Sequence, residues 1–329
     1  MIKNSIKKIF IKLARILGYE LIDQNKFNSP TLNKNLNDNL SVLNKKSIVL
    51  PMGEVKITKK IKSLEIIFRT NTNIEIWDQN KKRLFEKPKI EYAIKSIKSL
   101  AKSISHFKKL APNIEINLKI LEDNSSKDNL EKLKKICQEY EVNFEVISHD
   151  RDRFRKIIKP QKTDDTYSNL SSLLTSFFLA KSSEKDLIFF LEDDYIHFNE
   201  LILELVSTYE RVSSQLEKDI FICPADYPFL YSENEKTNLI IGSHRHWRTT
   251  NKTLCTFLTS KKFINKYWDN FYNNCLDRHD PFEKYLNLIY EKEVCISPVK
   301  SLSIHMTNIN SSYGLSPFIN YKSLWEENE

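Results

Sequence analysis

Apolar and polar residues recur along the chain with two different periods, and these periods predict where strands and helices lie. From residue 63 onward, apolar runs with a strand period are followed by stretches in which apolar residues recur every three or four positions. The predicted strands lie at 63–70, within 114–126, at 142–147 and at 187–191, and the predicted helices carry Ile90 to Ile104, Leu130 to Cys137 and Tyr167 to Phe178. Strands that alternate with helices imply a mostly parallel sheet, whose ligands gather at the carboxyl ends of its strands.

The same patterns divide the chain into four segments. They are a basic amphipathic helix at 1–20, a linker or irregular extension at 21–59, the main domain at 60–310 and a C-terminal tail at 311–329. The second half of the main domain is less regular, with short strands near 219–229 and 253–260 and helices near 261–274 and 281–292. The predicted fold class is therefore α/β, a Rossmann-like mostly parallel central sheet flanked by helices, with an N-terminal amphipathic helix.

One face of the N-terminal helix is apolar, and most of the remaining surface is basic. The apolar residues of this face are Ile2, Ile6, Ile9, Phe10, Leu13, Ile16 and Leu17. The basic residues are Lys3, Lys7, Lys8, Lys12 and Arg15. Residues 2–17 lack the long apolar core of a signal peptide or a membrane span. We therefore expect the helix either to lie on an anionic membrane surface or to dock on its own domain.

Three consecutive carboxylates follow the most apolar predicted strand. The run from Leu187 to Leu191 contains no polar residue, which is typical of a strand buried on both faces of a sheet. Glu192, Asp193 and Asp194 come directly after it. Three like charges repel and raise one another's pKa, so an ionised cluster needs a metal ion, an arginine or bulk water beside it. The alternative is an acidic strand end that only faces solvent.

The composition argues against several kinds of site and partner. The chain has only four glycines, all far apart, whereas phosphate-binding loops need two or three within six residues, so a metal or basic side chains would have to bind any phosphate. The net charge of +8 comes without an arginine-aromatic stripe, and we therefore expect no nucleic-acid partner. The five cysteines are scattered and never spaced as C-x-x-C, which favours a reducing cytoplasm over a disulfide framework or a zinc site.

Four motifs, taken in order, resemble those of nucleotide-sugar-dependent glycosyltransferases of the A-type fold, in the broad family-2-like group. EDNSS (122–126) resembles the Asp-Asp-x-Ser turn near the nucleotide base, and FFLEDDY (189–195) resembles the D-x-D metal motif. DRHDPFE (277–283) is a downstream acidic cluster, and SLSIHM (301–306) contains a late histidine. The similarity covers about residues 63–310. It implies a metal-dependent, inverting enzyme that uses Mn²⁺ or Mg²⁺ and a nucleotide-sugar donor, with a UDP-sugar as the first expectation.

For the metal motif, the resemblance implies one role per residue. Asp194 would bind the metal directly, and His305 would offer a neutral imidazole to the same ion. Glu192 would face the ribose or reach the metal through water. Asp193 would anchor the local backbone beside the nucleotide. Taken alone, His305 is also compatible with an ordinary core or surface histidine.

For the nucleotide, the resemblance implies two further contact regions. Asp123 and Ser125 would contact the base or ribose, unless residues 123–125 form a helix-capping turn instead. Arg69 and Thr70 occupy the end of the first strand, where relatives place the base. In this chain Arg69-Thr70-Asn71 replaces the usual small apolar-Pro-Thr-x-Asn sequence, so the identity of the base stays open.

An inverting transfer also needs a base that takes the proton of the acceptor hydroxyl. Asp280 and Glu283 are the candidates; Asp280 is also predicted to cap a helix whose first position is Pro281. The loop 242–250, with two histidines and two arginines, is either a diphosphate or acidic-acceptor site or a solvated turn.

We expect a cytoplasmic enzyme, peripheral on the inner membrane face, that transfers a sugar to a glycan or lipid-linked acceptor. The alternative is a catalytically silent glycan- or protein-binding domain of the same fold.

Overall fold

The computed structural model describes residues 2–19, 21, 48–49, 53–73, 84–232, 237–307 and 309–329. The chain forms two units, Met1–Val55 and Lys56–Glu329. Most of the predicted linker, 21–59, lies outside the described residues.

The first unit contains helix α1 (Ile2–Ile16) and two short antiparallel strands, β1 (Ile48–Val49) and β2 (Gly53–Glu54). The predicted N-terminal helix is therefore present. Six large apolar side chains are at least half exposed: Ile6, Ile9, Phe10, Leu13, Ile16 and, just beyond the helix, Leu17. Among the described residues, no helix combines the length and the apolar character that crossing a membrane requires.

The second unit is built on a sheet of nine strands. They are β3 (Ser63–Thr70), β4 (Glu115–Glu122), β5 (Phe144–Ser148), β6 (Leu187–Glu192), β8 (Phe221–Ile222), β9 (Leu239–Ile241), β10 (His246–Thr249), β11 (Phe257–Ser260) and β12 (Cys295–Pro298). Their spatial order is β5-β4-β3-β6-β11-β8-β12-β10-β9. The pairings make seven of these nine described strands run in one direction, with β10 and β11 opposed. The sheet is mostly parallel, as the sequence predicted.

Helices cover both faces of this sheet. They are α2 (Lys89–Leu110), α3 (Lys127–Glu139), α4 (Asp164–Ser182), α5 (Leu201–Leu216), α6 (Phe229–Ser232), α7 (Lys261–Lys266), α8 (Trp268–Asn274), α9 (Lys284–Tyr290) and α10 (Tyr321–Glu326). Residues of α2, α3 and α5 form one core with one side of the sheet, and residues of α4, α7, α8 and α9 form a second core with the other. A short 3-10 helix, Arg151–Phe154, precedes α4.

Strand β6 shows why an unbroken apolar run is needed at the centre of the sheet. Leu187, Phe189 and Leu191 pack into the core on one face. Ile188 and Phe190 pack into the core on the other face. Because successive side chains of a strand point to opposite faces, both sets must be apolar when both faces are covered. The predicted doubly buried strand is confirmed.

A two-stranded ribbon stands apart from the main sheet and continues from β6. The chain leaves β6 through a turn at Asp193 and Asp194 and enters β7 (Tyr195–His197), which pairs antiparallel with β13 (Ser303–His305). In this ribbon His305 lies opposite Tyr195, and the N–H of Met306 donates to the carbonyl of Asp194 at 2.9 Å. The ribbon therefore brings two segments that are 110 residues apart in sequence to one end of β6.

One prediction about a helix end is wrong, and one alternative that the sequence left open is decided. Asp280 does not cap a helix, because α9 begins at Lys284 and the residue before it is Glu283. The turn after β4 does not use residues 123–125 as a cap either. Ser126 caps α3, and its hydroxyl accepts from the N–H of Asn129 at 3.2 Å. The predicted tail, 311–329, includes α10, whose Trp325 packs against Tyr92 of α2.

Candidate active site

Two of the three consecutive carboxylates are paired with cations of the chain itself. Arg69 donates to Glu192 through Nη2 at 2.8 Å, and Lys89 donates to Asp193 through Nζ at 2.5 Å. Asp193 also accepts from the hydroxyl of Thr70 at 2.8 Å. These contacts answer part of the question that the sequence raises, since Glu192 and Asp193 are balanced without a metal ion.

Arg69 and Thr70 connect structural elements at this end of the sheet. The Nη1 group of Arg69 donates to the side chain of Asn169 and to the hydroxyl of Ser172, both on α4, at 3.1 Å each. Arg69 therefore links β3, α4 and the end of β6. Asp193 accepts from the N–H of Asn71 at 3.2 Å as well as from Thr70, so it fixes the loop after β3.

Asp194 differs from its two neighbours in sequence. Its Oδ2 atom accepts from the hydroxyl of Thr307 at 2.6 Å and lies 3.2 Å from Nε2 of His305. Its Oδ1 atom is buried and has no hydrogen-bond partner. A buried carboxylate oxygen without a partner costs free energy, so this atom is suited to an electropositive ligand.

The hydrogen bonds of His305 fix which ring nitrogen faces the carboxylate. Nδ1 lies 2.9 Å from the carbonyl oxygen of Tyr313. Because a carbonyl oxygen only accepts, Nδ1 must carry a hydrogen. In the neutral ring Nε2 then presents its lone pair towards Asp194, which is the arrangement of a histidine that binds metal with an oriented outer nitrogen.

The pKa values of Glu192 and Asp194 are shifted in opposite directions at this site. Burial raises the pKa of Glu192, and Arg69 only partly opposes that effect. Burial also raises the pKa of Asp194, but the charges of His305 and Lys89 outweigh it, and the net pKa is lowered. For His305, burial lowers the pKa, but Asp194, the carbonyl of Tyr313 and the charge of Glu192 together raise it further, so the net pKa is raised. Asp194 is therefore the carboxylate that stays ionised most readily.

A cleft of about 920 Å³ opens beside Asp194 and His305. Its wall includes Glu283, which is 8% exposed, and Asp280, which is exposed. Other lining residues are Lys89, Pro160, Gln161, Lys162, Thr166, Asn169, Glu192, Leu254, Asp277, Arg278, His279, Pro281, Phe282, Thr307 and Tyr313. The structure thus brings both candidate bases and both candidate metal ligands to one cleft.

A smaller cavity of about 150 Å³ shares Lys89, Asn169, Glu192 and Asp194 with the cleft. Its other lining residues are Asp193, directly after β6, and residues near the ends of β3, β4 and α4: Arg69, Thr70, Asn71, Leu121, Asp123, Asp165, Ser168 and Ser172. Six of the eight residues predicted to contact the nucleotide or metal therefore line this small cavity: Arg69, Thr70, Asp123, Glu192, Asp193 and Asp194.

Asp123 and Ser125 are held by other groups of the chain. Oδ1 of Asp123 accepts from Nε of Arg151 at 2.5 Å, and its Oδ2 accepts from the hydroxyl of Ser168. The hydroxyl of Ser125 accepts from the N–H of Thr72 at 3.1 Å. Asp123 lines the small cavity, whereas Ser125 is not among the residues that line either described cavity.

Residues 242–250, expected as a loop, include strand β10 near the far edge of the sheet, and their two arginines are paired there. Arg245 lies 3.6 Å from the buried carboxylate of Glu204, and Arg248 forms an ion pair with Asp226. Within the described part of the chain, neither arginine lines the cleft or the small cavity.

Sequence reasoning missed several residues of the site. Lys89 begins α2, Thr307 follows β13, Asn169 lies on α4, and Arg151 lies in the short 3-10 helix. None belongs to a motif, and each reaches the site through pairing over tens of residues or more. The only available signal was the position of Thr307 two residues after His305.

The donor atoms present fit a divalent cation. Among the described residues there is no group of three or more His, Cys, Asp or Glu side chains arranged to hold a metal. Asp194 and His305 supply two such ligands, with Oδ1 lacking a hydrogen-bond partner and Nε2 directed inward. Mn²⁺ and Mg²⁺ commonly take one or two protein ligands and complete their coordination with water and substrate phosphates.

No protein-family model matches the chain, and no curated protein matches it. Similar solved structures include the galactosyltransferase LgtC in complex with donor and acceptor sugar analogues, at 14% identity and a TM-score of 0.35, covering 69% of this chain and 70% of that one. They include the inositol-1-phosphate CTP transferase of T. maritima, at 10% identity and a TM-score of 0.38, covering 82% and 97%. They also include UDP-glucose pyrophosphorylase complexed with UDP-glucose, at 8% identity and a TM-score of 0.35, covering 71% and 89%. At TM-scores this low the similarities assign no function to this chain, and the assignment depends on the residues of its own cleft.

Proposed function

We propose that the chain is a metal-dependent glycosyltransferase that transfers a sugar from a nucleotide diphosphate donor to a glycan or lipid-linked acceptor. The observation that carries the proposal is the pair Asp194 and His305, which lies at the carboxyl end of β6 on the wall of a 920 Å³ cleft and leaves Oδ1 of Asp194 without a hydrogen-bond partner. Ligands of parallel sheets bind at this end of the strands.

Each residue of the pair has a defined task in this proposal. Asp194 and His305 would hold Mn²⁺ or Mg²⁺, which when bound neutralises negative charge on the leaving diphosphate. Tyr313 orients His305 through its carbonyl, and Thr307 orients Asp194 through its hydroxyl. Arg69 and Lys89 keep Glu192 and Asp193 balanced, and the buried carboxylate oxygen that lacks a hydrogen-bond partner belongs to Asp194.

Glu283 is the base that we favour for an inverting transfer. The acceptor hydroxyl would give its proton to Glu283 while its oxygen bonds to the anomeric carbon; the bond from that carbon to the phosphate oxygen breaks, and the nucleoside diphosphate leaves with the electron pair. Glu283 is 8% exposed and lines the cleft, whereas Asp280 is exposed and resembles a rim residue.

The proposal is tested by titrating UDP, GDP and CDP and their sugar conjugates into the protein with and without Mn²⁺, and by assaying diphosphate release. We expect Mn²⁺-dependent binding of at least one nucleotide, and its loss in Asp194→Asn. Asp128→Asn, an exposed carboxylate on α3, is the matched control and should bind as the wild type does. Binding without turnover on any acceptor would favour the silent binding domain, and no nucleotide binding at all would contradict the proposal.

We further propose that α1 attaches the enzyme to an anionic membrane surface. Six large apolar side chains of residues 6–17 are at least half exposed, and residues 1–19 contain five basic residues and no acidic one. An exposed apolar face bordered by positive charge is complementary to a lipid surface with anionic headgroups. The five cysteines are buried and unpaired, which supports the cytoplasmic side as the location.

Vesicle sedimentation of the full chain tests this attachment. We expect binding to vesicles that contain phosphatidylglycerol, weaker binding to phosphatidylcholine alone, and a decrease with salt, because each basic residue near such a surface contributes about 1 kcal/mol. Phe10→Glu and deletion of residues 1–18 should abolish vesicle binding and leave nucleotide affinity unchanged. Equal vesicle binding by these variants would contradict the attachment.

A further inference from the structure

The imidazole ring of His305 is held on three sides by neighbouring groups. Its backbone is paired with Tyr195 across the β7–β13 ribbon. Its Nδ1 atom donates to the carbonyl of Tyr313 at 2.9 Å. One face of the ring stacks on the ring of Tyr195, with the centroids 4.8 Å apart and the planes inclined by 21°. The remaining edge carries Nε2, which lies 3.2 Å from Oδ2 of Asp194 and 2.8 Å from the hydroxyl of Thr307.

The stack on Tyr195 restricts the rotation of the His305 ring, which the backbone pairing does not fix. The χ2 torsion of a histidine is broad and two-fold, so the backbone alone does not fix the plane of the ring. The bond to Tyr313 determines which edge points inward, because only Nδ1 can donate there. The stack on Tyr195 then limits rotation about the axis of that bond. Together they set the direction of the Nε2 lone pair relative to Asp194.

Tyr195 is itself fixed by a second tyrosine. The hydroxyls of Tyr195 and Tyr227 lie 2.7 Å apart, and the two side chains are 0% and 1% exposed. The ring of Tyr227 packs in turn edge-on against Tyr313, at 5.3 Å between centroids. Tyr313 is the residue whose carbonyl orients His305, so the two constraints on the imidazole ring belong to one aromatic group.

We propose that Tyr195, fixed by its hydroxyl bond to Tyr227, is a positioning residue that aims Nε2 of His305 at the divalent cation beside Asp194. The inference rests on the proposed function, because it needs His305 to bind a metal. It adds the pair Tyr195 and Tyr227, to which the sequence motifs assign no role. Neighbours that orient a metal-binding histidine typically change metal affinity 10- to 100-fold when they are replaced.

Mn²⁺ affinity of the full chain, measured by electron paramagnetic resonance of free Mn²⁺ in the presence of UDP, tests the pair. Tyr195→Leu removes the stack, and we expect about 10- to 100-fold weaker Mn²⁺ binding. Tyr195→Phe and Tyr227→Phe each keep the rings and remove the shared hydroxyl bond, and we expect about two- to tenfold weaker binding. The double variant should be no weaker than either single variant, because both remove one and the same bond.

Tyr209→Phe is the matched control. Tyr209 is 1% exposed, and its hydroxyl donates to Asp219 at 2.8 Å, away from the cleft. It should lose a similar hydrogen bond and some thermal stability but keep wild-type Mn²⁺ affinity. The coupling between bound Mn²⁺ and the histidine nitrogen, seen in electron spin echo spectra, should weaken in the Tyr195 variants and not in the control. A merely structural role of Tyr195 would move melting temperature without moving this coupling.

The outcomes separate the two proposals. Folded Tyr195 and Tyr227 variants that bind Mn²⁺ as the wild type does would overturn the positioning role and leave the proposed function intact. Additive losses in the double variant would also overturn it, since the hydroxyls would then act separately. A wild-type chain that binds no Mn²⁺ with any nucleotide would overturn the metal site and the positioning role together. Should Tyr195→Leu fail to fold, the two phenylalanine variants decide the question.

Discussion

The β7–β13 ribbon carries two histidines that are both buried but differ in their electrostatic surroundings. His197 is 2% exposed, and its Nδ1 lies 2.8 Å from the hydroxyl of Ser303, while its Nε2 has no hydrogen-bond partner. Burial lowers the pKa of His197 to about 3. His305 is 8% exposed, but the carboxylate of Asp194 raises its pKa in spite of burial.

The difference shows what makes a histidine of this ribbon suitable for function. Burial alone gives a neutral ring that serves packing. A histidine that is buried beside a carboxylate needs a proton or a cation between its ring nitrogen and the carboxylate oxygen. Without one, the lone pairs of the two atoms would face and repel each other. Sequence shows neither case, since both histidines lie in short strands with apolar neighbours. The following predictions compare His197 with His305.

The largest expected effect is acid destabilisation through His197. The pKa of His197 is about 3 in the folded chain and about 6.5 in the unfolded chain, so the unfolded state binds the proton first. Its contribution to stability is therefore complete above pH 6.5 and is lost as the pH falls towards 3, with a slope approaching about 1.4 kcal/mol per pH unit. Urea unfolding at pH 7, 6 and 5 measures it. A His197→Gln variant should show a flatter dependence, and an unchanged slope would contradict the assignment.

The next largest effect is the change in nucleotide binding when either histidine is replaced singly. His305→Gln removes a proposed ligand and should weaken Mn²⁺-dependent nucleotide binding by about 10- to 100-fold or more. His197→Gln removes a histidine of the same ribbon and should leave that binding within about twofold of the wild type once the variant is shown to be folded. Calorimetric titration of nucleotide at saturating Mn²⁺ measures both. Equal losses in the two variants would mean that the ribbon as a whole, and not His305, supports binding.

A smaller effect is expected when the hydroxyl of Thr307, which contacts Asp194, or that of Ser303, which contacts His197, is removed. Thr307→Val removes the donor to Oδ2 of Asp194 and should weaken Mn²⁺ binding with little change in stability. Ser303→Ala removes the partner of His197 and should lower the free energy of unfolding by about 1 kcal/mol without changing Mn²⁺ binding. Thermal unfolding and Mn²⁺ titration of both variants separate the two responses. The opposite pattern would contradict the division of roles.

The first half of the main domain could be predicted from the sequence because its signals are local. The apolar run 187–191 indicated a doubly buried strand, and the structure divides its side chains between two cores. The alternation of strands and helices placed the acidic strand end at the carboxyl edge of the sheet, and the family resemblance placed the late histidine beside it. The structure adds that Asp194 and His305 lie 3.2 Å apart.

The remaining features depend on contacts that no local pattern encodes. Lys89 reaches Asp193 across 104 residues, and Tyr195 meets Tyr227 through two hydroxyls in a fully buried group. The predicted cap at Asp280 was wrong because an Asp-Pro pair resembles a helix start, while α9 begins at Lys284. The presence of three adjacent acids could not show that two are already paired, since that depends on cations from β3 and α2.

The most direct test of the central claim is whether a histidine nitrogen binds the cation that the nucleotide requires. Electron spin echo spectra of the full chain with one equivalent of Mn²⁺ and a nucleoside diphosphate would show a nitrogen coupling if His305 is a ligand. We predict this coupling in the wild type and in His197→Gln, and its absence in His305→Gln. A coupling that persists in His305→Gln, or Mn²⁺-nucleotide binding without any nitrogen coupling in the wild type, would contradict the account.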